Sequence, residues 1–242
     1  MSVMVFDIET VALPLECFDD IQQEYLFREA EALQDEVSRQ EGREKIARSF
    51  SLSPITGQIL CIGMMNPDTG RGRALYIADD FEESYPGREI EYISCSDESE
   101  MLEIFWEMAS KFEIAVTFNG RAFDLPFLYL RSALLNIPIS RRNWLSNRYS
   151  DQPHCDLLDQ LSFYNPLSKW GATRGFNLDF YCKAFGIPSP KANGITGIDI
   201  PRMAAEGRFR EIAQYCMGDV RATAELYRIW RERLKPQERK IP

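Results

Sequence analysis

Four carboxylates and one phenol stand where the chain pattern could set them to work on a cation or a proton: Asp7 and Glu9, Asp124, and Tyr215 with Asp219. Asp7 and Glu9 are spaced i and i+2 at the end of the apolar run Val3–Asp7, so a strand there would put both on one face. Tyr215 and Asp219 are spaced i and i+4, and a helix would stack them. Asp124 follows Thr117-Phe118-Asn119-Gly120-Arg121-Ala122-Phe123 at an expected strand-to-helix junction, where α/β sheets tend to meet ligands. Each feature has an ordinary alternative: acids reaching water past a strand end, a helix N-terminal Asp, a helix surface pair. Together they form a set of hard oxygen donors suited to divalent cations. The chain has a single histidine, His154, and six cysteines without a Cys-x-x-Cys pair, which removes multi-histidine and zinc-thiolate centres. Any metal must be held mainly by carboxylates.

The elements that would position these groups follow from periodicity. Val3–Asp7, Gln58–Met65, Arg73–Ala78 and Ile114–Phe118 predict strands, the second and third joined as a hairpin through Asn66–Gly70. Helical patterns cover Asp19–Arg48, Glu98–Lys111 behind a Ser96 or Asp97 cap, Phe123–Leu135, His154–Phe163, Leu178–Phe185 ending at Gly186, and Phe209–Leu234. The connection Asn165–Phe176 is basic and glycine-bearing, more like a working loop than a core element. Strands followed by a strand–helix unit and several helices predict a single α/β domain with a mixed sheet.

Composition excludes other classes. The 242 residues contain no apolar stretch approaching the ~18–20 residues of a membrane span, and the N-terminus lacks a basic start. A cytoplasmic protein with reduced thiols and no membrane partner is the expectation. The net charge of −9 is matched by residues Asp79–Glu103, which carry ten acids and one base, leaving 27 charges of each sign elsewhere. Charge alone therefore does not decide for or against a polyanionic partner. The acidic segment is either a solvated face or a docking surface.

The motifs Phe6-Asp7-Ile8-Glu9-Thr10, Asn119-Gly120-Arg121-Ala122-Phe123-Asp124 and Tyr215-Cys216-Met217-Gly218-Asp219 resemble, in order, the three exonuclease motifs of the DEDD superfamily. The Tyr-x-x-x-Asp form is similar to the DEDDy branch, and His154 lies outside the third motif, as that branch requires. The chain most resembles the 3′–5′ exonucleases related to the proofreading domain of family-B DNA polymerases, over nearly its whole length.

The resemblance implies a ribonuclease H-like fold, a mixed five-stranded sheet flanked by helices, in one exonuclease domain over 1–242 with a helical insertion at about 15–50. It implies hydrolysis of phosphodiester bonds from 3′ ends of nucleic acid, with single-stranded DNA favoured and RNA possible, releasing nucleoside 5′-monophosphates. Two divalent cations, Mg²⁺ or Mn²⁺, would be held by Asp7, Glu9, Asp124 and Asp219, Asp7 bridging and Asp124 acting through water. Tyr215, with an ordinary pKa of ~10, would orient water with Glu9 rather than act as a base. Thr10, Asn119 and Phe123 would bind the terminal nucleotide, with Lys169 and Arg174 as weaker phosphate candidates and His154 structural. A repair or end-trimming role, with any proofreading in trans, is the companion expectation. The rivals are an RNA exonuclease of ribonuclease D type and a catalytically silent binding module. A haloacid-dehalogenase-like phosphatase would leave Asp124 and Tyr215–Asp219 unexplained.

Overall fold

The computed structural model describes residues 1–78, 89–189 and 194–236. Its centre is strand β1 (Val3–Ala12), whose first four residues are buried on both faces, as a continuous apolar run requires. It lies between β2 (Gly57–Met65), antiparallel, and β5 (Ile114–Thr117), parallel. With β3 (Gly72–Ile77), β4 (Ile90–Cys95) and β6 (His154–Asp156) the sheet order is β4-β3-β2-β1-β5-β6. The pairings leave β2 running against the other five.

The expected five-stranded sheet is thus six-stranded. Strand β4 was hidden by Glu89 and Glu91, which make an outer, half-solvated strand resemble a charged loop; its ladder comes from β3. The segment expected as one helix over His154–Phe163 is a three-residue strand followed by α5 (Leu157–Leu161), because pairing with β5 overrides local propensity. The helical stretch 19–48 divides into α1 (Asp20–Glu31) and α2 (Glu36–Ser49), each started by an aspartate, Asp19 and Asp35, accepting a backbone N–H. The remaining helices are α3 (Glu98–Ala109, capped by Asp97), α4 (Asp124–Leu134), α6 (Leu178–Phe185, closed by Gly186 at φ 73°), the short, unanticipated α7 (Ile200–Ala205) and α8 (Phe209–Arg233).

Each face of the sheet has its own core. Val3 and Val5 pack with Cys216, Met217 and Val220 of α8. Met4, Phe6 and Ile8 pack on the other side with Met101, Phe105 and Trp106 of α3, Leu125 and Leu128 of α4, and Trp144. Among the described residues no helix is long and apolar enough to cross a membrane.

Candidate active site

Strand β1 does not end at Asp7. Asp7 pairs with Gly63 and Glu9 with Cys61, so the acids belong to a paired strand rather than a frayed end. Alternation sets them on the face of Val3 and Val5, towards α8. On the other side β5 pairs only with Val3–Val5 and stops at Thr117, which leaves Asp7 beside the carboxyl end of β5 and the loop into α4. The β1–β2 register shifts between Glu9 and Thr10, where Leu60 is left unmatched, a bulge of the kind that re-aims side chains beside functional sites.

Helix α8 reaches these acids because β2 carries a glycine opposite Asp7. A Cβ on Gly63 would lie 2.9 Å from Val220 Cγ2, 3.0 Å from Cys216 Sγ and 3.1 Å from Met217 Sδ. The missing side chain is what allows this approach. Ligand atoms of Asp7, Glu9 and Cys216 all fall within 4.8 Å of one another. The Cys216 thiol donates to the Asp7 carbonyl at 3.5 Å. One turn along, the side chains of Tyr215 and Asp219 hydrogen-bond on the same face. Asp124 begins α4 and is buried; its Oδ1 accepts the Ile8 N–H at 3.2 Å, tying the second motif to the strand between the two acids of the first.

The electrostatics are those of acids forced together. Burial is the main cause that pushes Asp7 well above the carboxylate range, and the carboxylates of Asp124, Asp219 and Glu9 push it further. Glu9 is raised by burial and by Asp219 and Asp124. Asp124 is lifted to about 7, again mainly by burial and against the lowering effect of its backbone hydrogen bonds. Burial and the neighbouring acids also raise the Tyr215 phenol, which is therefore protonated at neutral pH.

Two family models match this chain. One, the exonuclease domain of DNA polymerase family B, covers residues 1–151. The other, a predicted 3′–5′ exonuclease related to the exonuclease domain of PolB, covers residues 88–235. The chain belongs to the PolB-related 3′–5′ exonuclease family. Among solved structures it is similar to the family B DNA polymerase of the hyperthermophilic archaeon Pyrobaculum calidifontis, at 17% identity and a TM-score of 0.55. That match takes in 94% of this chain but 24% of the polymerase, so the chain spans about a quarter of its length. The likeness shows the fold, ribonuclease H-like. A search of curated proteins finds no significant match.

PolB exonuclease domains use divalent metals, and the donor set of this family member fits such ions: Asp7, Glu9 and Asp124 are oxygen donors whose crowding a cation would relieve. Cys216 does not belong to that set. A hydrogen bond with Cys61 and burial hold its thiol well above the ordinary value, so it stays protonated and serves as packing.

Asp156 was not singled out as a site residue, yet it shapes the second motif. Its Oδ1 accepts the Asn119 N–H at 2.9 Å and its Oδ2 the Arg121 N–H at 2.8 Å, while Oδ1 also caps α5 through Leu158. These bonds hold Asn119 at φ 64°. The signal in the sequence is an aspartate just ahead of the apolar Leu157-Leu158, a helix-cap position that reading the helix from His154 passes over. His154 is structural: its Nε2 meets Thr117 Oγ1 at 2.8 Å, and burial lowers it to about 3, leaving it neutral.

The nucleotide-binding candidates divide. Asn119 is exposed beside the site, whereas the Thr10 hydroxyl donates to the Ser51 carbonyl at 2.6 Å. Phe123 is half-buried, its ring 5.5 Å from that of Phe127. Lys169 and Arg174 are exposed in the connection between α5 and α6, Arg174 lying 4.6 Å over the Phe176 ring. The acidic segment expected at 79–103 lies outside the described residues over 79–88. Beyond that, Glu91 and Glu98 pair with Arg73 and Arg131.

Proposed function

We propose that this family member is an active, metal-dependent 3′–5′ exonuclease that removes nucleoside 5′-monophosphates from single-stranded DNA ends. The convergence of half-buried Asp7 and Glu9 and buried Asp124 with α8, each raised by neighbouring acids, is the observation that carries this reading. Asp7, Glu9 and Asp219 would hold one divalent cation, Mg²⁺ or Mn²⁺, and Asp7 with Asp124 a second. When bound, such ions supply Lewis-acid activation of water and stabilise charge on the attacking and leaving oxygens.

The chain's own groups do the positioning. Tyr215, protonated and bonded to Asp219, orients the attacking water with Glu9 rather than abstracting its proton. Asn119 hydrogen-bonds to sugar or phosphate, the backbone at Thr10 meets the terminal nucleotide, and Phe123 offers a ring edge to its base. The whole of 1–242 serves as one exonuclease domain, with α1 and α2 as an insertion, and an end-trimming or repair role suits it.

Purified protein incubated with 5′-labelled single-stranded DNA and matched RNA, with Mg²⁺, Mn²⁺ or chelator, tests this directly. A metal-dependent 3′ ladder absent in Asp7→Ala is expected, with DNA cut faster. Absence of a ladder on both polymers in either metal would instead favour a silent binding module.

A further inference from the structure

The exposed aromatics of this molecule are not scattered. Among the described residues, Tyr149, Phe163, Trp170, Phe180 and Phe185 are exposed within one stretch, and Tyr25 is the remaining case. Trp170 is 82% exposed and Phe163 71%. The backbone at Phe163 is well fixed. Phe163 and Tyr164 have φ of 51° and 62°, a conformation bulky residues rarely adopt. It is held by the Tyr164 N–H donating to the Asp159 carbonyl at 2.7 Å, by the Tyr164 hydroxyl against Gln160, and by the Tyr149 ring at 5.3 Å. The strained turn holds Phe163 out in solvent, against the tendency of its side chain to be buried.

The same connection is basic, and its far end packs towards the second motif. Residues 162–178 contain Lys169 and Arg174 and no acid, in a chain of net charge −9. The segment folds back at Gly175, where a Cβ would lie 2.8 Å from the Pro166 carbonyl oxygen and 3.3 Å from Leu158 Cδ1 of α5. It then continues through Phe176, stacked on Phe180 at 4.5 Å and edge-on to Tyr181 at 6.2 Å. Tyr181 in turn packs on Phe118, the residue before Asn119 of the second motif.

We propose that the connection between α5 and α6 is a stacking path for single-stranded nucleic acid. Phe163 and Trp170 take bases upstream of the nucleotide being removed, and Lys169 and Arg174 take the phosphates between them. Exposed aromatic faces interleaved with cations bind single strands with little sequence preference, and a paired duplex cannot offer its bases to them. The inference rests on the exonuclease reading for its place in a reaction, but binding can be tested without cleavage.

Three of the four tryptophans, Trp106, Trp144 and Trp230, are buried, so Trp170 is the one placed to report on a ligand by fluorescence. Oligothymidylate of twenty residues, titrated in chelator, is expected to quench the emission, while a blunt duplex does not; Trp170→Phe removes the quench. In Mg²⁺, Phe163→Ala/Trp170→Ala is expected to lower the ratio of kcat/KM for the twenty-mer to that for a trinucleotide about tenfold. Thermal melting confirms that the variant is folded. An unquenched wild type, an equal response to duplex or an unchanged ratio would overturn the path, even if the enzyme trims ends normally. Quenching by a protein that cuts neither oligonucleotide would uphold the path and defeat the exonuclease reading.

Discussion

A buried acid and a pair of half-buried ones lie on opposite sides of the sheet, and they are treated differently. On the α3–α4 side, Glu98 receives Arg131 through three hydrogen bonds of 2.6–3.1 Å and also accepts the Ile59 N–H. On the α8 side, Asp7 and Glu9 are raised by burial and by neighbouring carboxylates, Asp7 also by the Cys61 thiol. The first arrangement is complete within the chain: it stitches α3 and α4 to β2 beside the bulge. The second calls for a cation from outside, because carboxylates packed this closely repel unless something positive joins them. A buried acid with a guanidinium is a structural fastener; half-buried acids crowded by other acids are what the proposed metal site would need.

The largest effect that sharpens this contrast should come from Asp7→Ala, which is expected to cut turnover about 10⁴-fold, or ~5 kcal/mol of barrier. The chelated protein should melt no lower than wild type, since one repelling charge is gone. A drop in both would make Asp7 another fastener. Arg131→Met should behave oppositely, costing about 3–5 kcal/mol of stability by leaving Glu98 buried and unpaired. Denaturant unfolding reads this loss, and adding Glu98→Gln should recover most of it.

Next in size is the response to metal. Asp124 is raised from 3.8 to about 7, so the chelated protein loses stability as pH climbs through that range. Mg²⁺ favours the deprotonated acids and should raise the melting temperature more at pH 8 than at pH 5; at hundredfold excess over Kd the stabilisation at pH 8 is about 2–3 kcal/mol. Equal shifts at both pH values would break the assignment of these acids as ligands. The smallest expected change is that of Tyr215→Phe, about tenfold in kcat, one hydrogen bond's worth. A loss as large as that of Asp7→Ala would make the phenol more than an orienting group.

What was legible in the sequence was what is local. The i and i+2 spacing of Asp7 and Glu9 put them on one face, and β1 confirms that face through Val3 and Val5. The i and i+4 spacing of Tyr215 and Asp219 became a hydrogen bond on α8. What stayed hidden depends on partners far along the chain. Strands β4 and β6 exist through their ladders with β3 and β5, and neither carries a clean alternation of its own. Asp156 acts on backbone groups 35 and 37 positions earlier. Gly63 could have been noticed, since a glycine inside the apolar run Ile59–Met65 flags a close approach, but what approaches it is 153 to 157 residues away.

For the proposed exonuclease, the span between the first motif and the last would set when the site is completed. Asp7 leaves the ribosome 212 residues ahead of Asp219, which lies on a helix that must close over β1 and β2 before the acids meet. At ~5–20 residues per second, synthesis of that interval takes on the order of ten seconds or more. A nascent chain, or one clipped before α8, holds the sheet's acids without the helix that completes them. In the proposed exonuclease, cutting would thereby be withheld until the chain has been made to residue 219 and α8 has folded back on β1.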